Sequence, residues 1–144
     1  MAEIKVVHHD QLELEAVSGA MKRWSGVSEN LTKAEGLHMG MSTIPVGCAS
    51  SPHHHTNCES AIYVIQGHGK MLLGNHLDKA LEFGPGDFIY VPPFAPHQPV
   101  NCSDSEEVVL IIARNSPVEL VEEYLHPGEK TTASPSCGGT HSLE

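Results

Sequence analysis

A chain of 144 residues has room for one domain with a real core and not for two comfortable ones. Its 18 acidic against 8 basic residues leave a net charge of −10, with no Lys/Arg cluster, which sets aside nucleic acid and anionic membrane surfaces as partners. Were the substrate anionic, a metal or a buried arginine would have to hold it locally against that global field.

The N-terminal segment Met1 to Asp10 has no apolar stretch behind a basic region and is not read as a secretory signal. No stretch approaches the roughly 18–20 apolar residues of a membrane-crossing helix, so the expected location is cytoplasmic. Leu12, Leu14, Val17, Met21 and Trp24 have loosely helical spacing, so residues 1–35 are expected to form a short helical or irregular arm. From Leu37 the texture changes. Short apolar runs (Leu37–Val46, Ala61–Gln66, Gly69–Leu73, Asp87–Val91 and Val108–Ala113) alternate with Gly, Pro and Asn. Such runs predict an all-β sandwich or barrel over 36–115 rather than βαβ units. Gly74-Asn75 and Gly84-Pro85-Gly86 supply turns, because Gly permits positive φ and Pro presets its own. Ser116-Pro117 opens a predicted short helix over 116–126, with Ser116 as N-cap and Pro117 at the first position. Residues 127–144, rich in Gly, Ser, Thr and Pro, read as a flexible tail. Cys48, Cys58, Cys102 and Cys137 show no Cys-x-x-Cys pairing, so free thiols are expected.

The segment Gly47 to Glu59 carries the chemistry. His53 and His55 are two apart, so on a strand they share a face. Glu59 follows four residues later, and His97 sits just beyond the turn Val91-Pro92-Pro93-Phe94-Ala95-Pro96. Three imidazoles and a carboxylate meeting at one point make a site for a divalent transition metal. The thiolate-free shell suits Fe, Mn, Ni, Co, Cu or Zn equally.

Two blocks give the pattern a family. Gly47, His53, His55, Glu59 and Gly67 resemble the first signature of the cupin superfamily; Gly86, Pro92, His97 and Asn101 resemble the second. With the flanking strands the resemblance covers roughly residues 36–114. Two departures stand out: Phe94 occupies a place usually held by Gly, and seven residues rather than six separate Glu59 from Gly67. Counting forward from the histidines selects Glu59 as the fourth ligand. Counting back from Gly67 selects Ser60, so either a one-residue bulge intervenes or the carboxylate is absent from the metal shell. Chemistry prefers Glu59.

The resemblance implies a single antiparallel jelly-roll β-barrel holding one metal inside on His53, His55, Glu59 and His97, with a position open to substrate. With Glu59 inward, parity turns Ala61, Tyr63 and Ile65 into the barrel. Tyr63 becomes the candidate catalytic residue, and Phe88, Tyr90, Phe94 and Gln98 become substrate-binding candidates. Arg114 ends a strand, where it can pair with an acidic substrate or with solvent. Asn101 is expected to brace its turn through backbone hydrogen bonds. The implied function is that of a mononuclear metalloenzyme acting on a small organic acid or phenolic compound. It would be an oxygenase, or a non-redox decarboxylase, isomerase or lyase, and a homodimer. The alternative is a non-catalytic cupin that binds a metabolite or sugar.

Overall fold

The computed structural model describes residues 3–55, 57–117, 121–123 and 136–137. Its antiparallel strands form two facing sheets. One runs in the order β1 (Glu13–Ser18), β2 (Met21–Val27), β3 (His38–Ile44), β11 (Val108–Arg114), β6 (Ser60–Gln66), β9 (Phe88–Val91). The other contains β12 (Val121–Glu123), β5 (His53–His55), β10 (His97–Asn101), β4 (Cys48–Ala49) and β13 (Ser136–Cys137), with β7 (Gly69–Leu73) and β8 (Lys79–Phe83) continuing from β10. This is the expected all-β jelly roll. The core lies between the sheets, where Ile44, Val64, Val108 and Leu110 are buried almost completely. Strict alternation puts them there: in β11 Val108, Leu110, Ile112 and Arg114 are buried, while the residues between are only partly so.

The N-terminal arm differs from expectation. Instead of a helix over Asp10–Trp24, β1 and β2 form a hairpin that extends the six-stranded sheet past β3. Met21, Arg23 and Ser25 are buried, with exposed Lys22 and half-buried Trp24 between them. That period of two, next to an open strand edge, outweighs a weak helical spacing. Gly19 turns the hairpin at φ +58, where a Cβ would lie 2.8 Å from the Ala49 carbonyl oxygen. The only helical elements among the described residues are a three-residue turn, His9–Gln11, and α1 (Glu29–Thr32), capped by Ser28.

Of the helix expected over 116–126, residues 118–120 and 124–126 lie outside the described residues, as do most of 127–144. Val121–Glu123 is a strand, paired with His53–His55. A free sheet edge with unpaired backbone groups competes successfully with one turn of helix. The expectation of free thiols holds for Cys58 and Cys102, but Cys48 is disulfide-bonded. The backbone of Cys137 lies directly across β4 from Cys48, a proximity created by strand pairing and invisible in local spacing.

Candidate metal centre

β5 and β10 build one wall of a pocket between the sheets. His53 and His55 share the inward face of β5, and the β10 backbone pairs His97 directly with His53. All three imidazoles are buried, and one nitrogen from each lies within 4.8 Å of the others. The His53 and His97 rings are 4.4 Å apart.

Backbone carbonyls set the tautomers. The Nδ1 of His53 lies 2.8 Å from the Ser51 carbonyl, and that of His97 lies 2.8 Å from the Ala95 carbonyl. A carbonyl only accepts, so each Nδ1 carries the proton and each Nε2 keeps a lone pair. Burial, followed by the charge of neighbouring His97, lowers the His53 pKa to about 3, which keeps this imidazole neutral. Imidazoles oriented through Nδ1, as His53 and His97 are, leave Nε2 for a divalent transition metal, so the residues fit such an ion.

The turn before His97 carries strain. Phe94 has φ +64, the left-handed conformation that its usual glycine adopts freely. Its N–H donates to the His55 carbonyl at 2.7 Å, tying that turn to β5. Asn101 braces the far end of β10 as expected: its Nδ2 donates to the carbonyls of Ile44, Pro45 and Glu106, and its Oδ1 accepts from the Ser103 N–H.

Several expected site residues lie elsewhere. Glu59 is exposed and accepts a 2.9 Å hydrogen bond from the Tyr90 hydroxyl, which raises the Tyr90 pKa. Ser60 holds the inward position instead, so the register counted back from Gly67 is the one adopted. The whole parity of β6 reverses with it: Ser60, Ile62 and Val64 are buried, while Ala61, Tyr63 and Ile65 face outward. Tyr63 packs on Phe88 with ring centroids 4.8 Å apart, on the outer side of the sheet. Phe88 and Tyr90 lie on that outer side too, at 79% and 63% exposure, and Phe94 is exposed on its turn. The Gln98 side chain donates to the Ser50 carbonyl at 2.8 Å, a structural tie between β10 and the β4 end.

What lines the pocket opposite the imidazoles is Arg23, Ser60 and apolar side chains including Met21, Ile62, Met71 and Val91. The cavity is small, about 20 Å³. Arg23 lies some thirty residues before the histidines and escaped the sequence reading; a charged residue at an inward step of an alternating stretch was the available signal. Beside it lies a network in which the part-exposed Glu15 meets buried side chains. The Glu15 carboxylate sits 2.6 Å from His38 Nε2, 2.5 Å from Ser25 Oγ, and 3.4 Å from both Arg23 Nε and Arg114 Nη2. Burial alone would raise the Glu15 pKa, but hydrogen bonds from His38 and Ser25, and the charges of His38 and Arg114, hold it at about 2. Arg114 thus serves this internal network.

Residues 40–113 match the family described as cupin domain. An uncharacterized protein of Methanocaldococcus jannaschii is 33% identical over 75 residues, which are 52% of this chain and 51% of that protein, so the chain spans about half of that relative's length. Among solved structures, the polyketide cyclase RemF from Streptomyces resistomycificus superposes with a TM-score of 0.70 at 19% identity, over 88% of this chain and 89% of that one. The oxalate decarboxylase of Lactobacillus farciminis, solved as a formate complex, gives 0.70 at 24% identity over 81% of this chain and 34% of that one. The oxalate decarboxylase of Bacillus subtilis, studied for its Mn(II) centres, gives 0.67 at 20%, over 79% and 30%.

Proposed function

The chain belongs to the cupin family, and from that premise we propose that it is a mononuclear metalloenzyme acting on a small organic acid. The observation that carries this reading is the convergence of His53, His55 and His97 from two adjacent strands, with their ligand atoms within 4.8 Å. An ion held by three neutral imidazoles would supply Lewis acidity and, if it is iron, manganese, cobalt, nickel or copper, access to redox chemistry; zinc would supply the first alone. The chain's own contribution is to orient two of the rings through the Ser51 and Ala95 carbonyls, to exclude water with Ile62, Met71 and Val91, and to line the space beside the rings with Arg23 and Ser60.

The parity of β6 removes Tyr63 as general base, and no carboxylate or phenol lines the pocket among the described residues. That favours oxygenase chemistry over a decarboxylase, isomerase or lyase reaction that needs a protein group to move the proton. Formate and Mn(II) in the oxalate decarboxylases support a small acid and a redox-capable ion by fold likeness alone. A homodimer would cover the exposed Tyr63, Phe88 and Tyr90, and sedimentation velocity tests that part.

The central test is elemental analysis of purified protein, followed by oxygen consumption after Fe(II) loading against short carboxylic acids and catechols. We expect close to one metal per chain and oxygen uptake with an acid. Bound metal without turnover of any acid would favour the non-catalytic metabolite-binding alternative.

A further inference from the structure

A second hollow lies over the outer face of the six-stranded sheet, on the far side from the imidazoles. It encloses about 370 Å³, within the roughly 300–1,000 Å³ of small-molecule sites. Its floor is the outward side of β2, β3 and β11, where Met41 pairs with Ile111 and Met39 with Val27. A register shift between Ser25 and Val27 puts Gly26 at a bulge, which bends the strand there. Gly26 lines the hollow and, having no side chain, leaves the floor open; a Cβ would lie 3.4 Å from Leu12 Cδ2.

The roof is the segment ahead of β1. Lys5, Val7 and His9, at alternate positions, all line the hollow, while Val6 and His8 between them are exposed. Leu12 follows on the same side, and Thr32 of α1 adds a hydroxyl already engaged with the Ser28 carbonyl at 2.8 Å. The enclosing surface is therefore apolar except at a basic rim. No Asp or Glu lines the hollow among the described residues, and Lys5 has no ion pair or hydrogen bond with any of them. In a chain of net charge −10, a greasy enclosure whose titratable lining groups are a lysine and a histidine complements one kind of molecule. That molecule has an apolar tail and an anionic head.

We propose that this hollow binds a straight-chain monocarboxylate, its tail on Met39, Met41 and Ile111 and its carboxylate beside Lys5 and His9. The site is separate from the metal centre and stands or falls independently of it. Burial of the tail supplies most of the affinity, and the exposed Lys5 supplies a smaller preference for the charged head.

The chain has one tryptophan, Trp24, which pairs across β2 and β3 with Met41, so its emission reports occupancy of the hollow. The test titrates the full-length protein with octanoate, decanoate and the neutral decanol, each below its micelle concentration, and follows Trp24 fluorescence. Decanoate should saturate the signal, and octanoate should bind roughly tenfold more weakly, the effect of two fewer buried methylenes. Lys5→Gln should weaken decanoate about three- to fivefold and leave decanol unchanged. Gly26→Val, which fills the floor, and Met39→Glu, which sets a charge against the tail, should each weaken decanoate by about tenfold or more. Lys5 is exposed, so its variant keeps the test decisive if either of the others fails to fold. His55→Ala should bind decanoate as wild type does, which separates this outcome from that of the metal reading. Wild-type decanoate affinity in both Gly26→Val and Met39→Glu would overturn the site, and equal loss of decanoate and decanol in Lys5→Gln would overturn the carboxylate head. Emission insensitive to decanoate, together with a dimer in sedimentation that Met39→Glu dissociates, would give the hollow to a second copy and overturn the proposal.

Discussion

The two walls of the pocket are prepared in opposite ways. On the β5–β10 wall the protein finishes the work itself: carbonyls of Ser51 and Ala95 orient two imidazoles through Nδ1, and burial keeps His53 from protonating. On the β2–β6 wall one polar group, the Ser60 hydroxyl, is positioned but not completed among the described residues. Arg23 pairs with Glu15 at 3.4 Å, and the Ser60 Oγ makes no hydrogen bond among the described residues. The first wall is suited to holding an ion, and the second bounds the space beside it. That contrast predicts that metal affinity and the stability of the second wall can be damaged separately.

The largest effect expected is on the first wall. His55→Ala removes one of three donors and should reduce metal affinity by more than roughly 100-fold, since loss of mere outer partners of ligands costs about 10–100-fold. Elemental analysis after dialysis measures it. Glu59→Gln, in the same assay, should keep metal within about twofold, because Glu59 is engaged with Tyr90 outside the pocket. Strong metal loss from the glutamine variant would mean that the two walls are misassigned.

Next in size is the parity of β6, on which the second wall depends. Ile62 is buried and Ile65 is half exposed. Ile62→Ala should cost about 2–5 kcal/mol in urea denaturation, and Ile65→Ala about 0.5 kcal/mol or less. The reverse ranking would return Glu59 and Tyr63 to the interior and take Ser60 out of it.

This pair of isoleucines also shows where sequence was sufficient and where it was not. Strands β3, β6, β7, β9 and β11 were legible because apolar runs and turn residues bound them. His53, His55 and His97 were legible too, since pairs of residues two apart share a face whatever the register of neighbouring strands. Glu59 was not, because its inward position depended on a count that could start from either end of the segment, and in a sheet a one-residue error moves every later side chain to the other face. Tyr63 followed Glu59 into the wrong face, and with it the candidate base. Phe88 and Tyr90 fell for a related reason: an aromatic in a strand announces a packed face without saying which one. Arg23 and the Cys48 disulfide were hidden by distance, since only the folded pairing of strands brings residues so far apart in sequence together.

A smaller effect tests the support behind Arg23. The Glu15 carboxyl is held at about 2 against its ordinary 4.5. Because the folded value is the lower one, the stabilisation is complete above about pH 5 and is lost as pH falls from 4.5 through 2. The linkage corresponds to about 3 kcal/mol, reduced to roughly 2 kcal/mol because Glu15 is partly exposed and screened. Glu15→Gln should therefore lower stability by roughly 2 kcal/mol at pH 7 and lose that difference near pH 2. A deficit that stayed constant between pH 7 and 2, by thermal denaturation, would show that packing rather than charge holds this network.

The smallest effect expected lies where the walls meet. The turn from β9 to β10 carries the chain from one sheet to the other, and Phe94 holds its left-handed conformation at the cost a side chain imposes there, about 1–2 kcal/mol. Its ring is mostly solvent-exposed, so little packing is lost on its removal. Phe94→Gly should relieve that strain but loosen the unfolded chain, which offsets part of the gain. A net stabilisation of about 0.5–1 kcal/mol is expected, with metal content unchanged, because the N–H to the His55 carbonyl is retained. If stability instead fell and metal were lost together, the phenylalanine ring rather than the backbone would be what holds His97 against β5, and the metal-binding wall would depend on a side chain outside it.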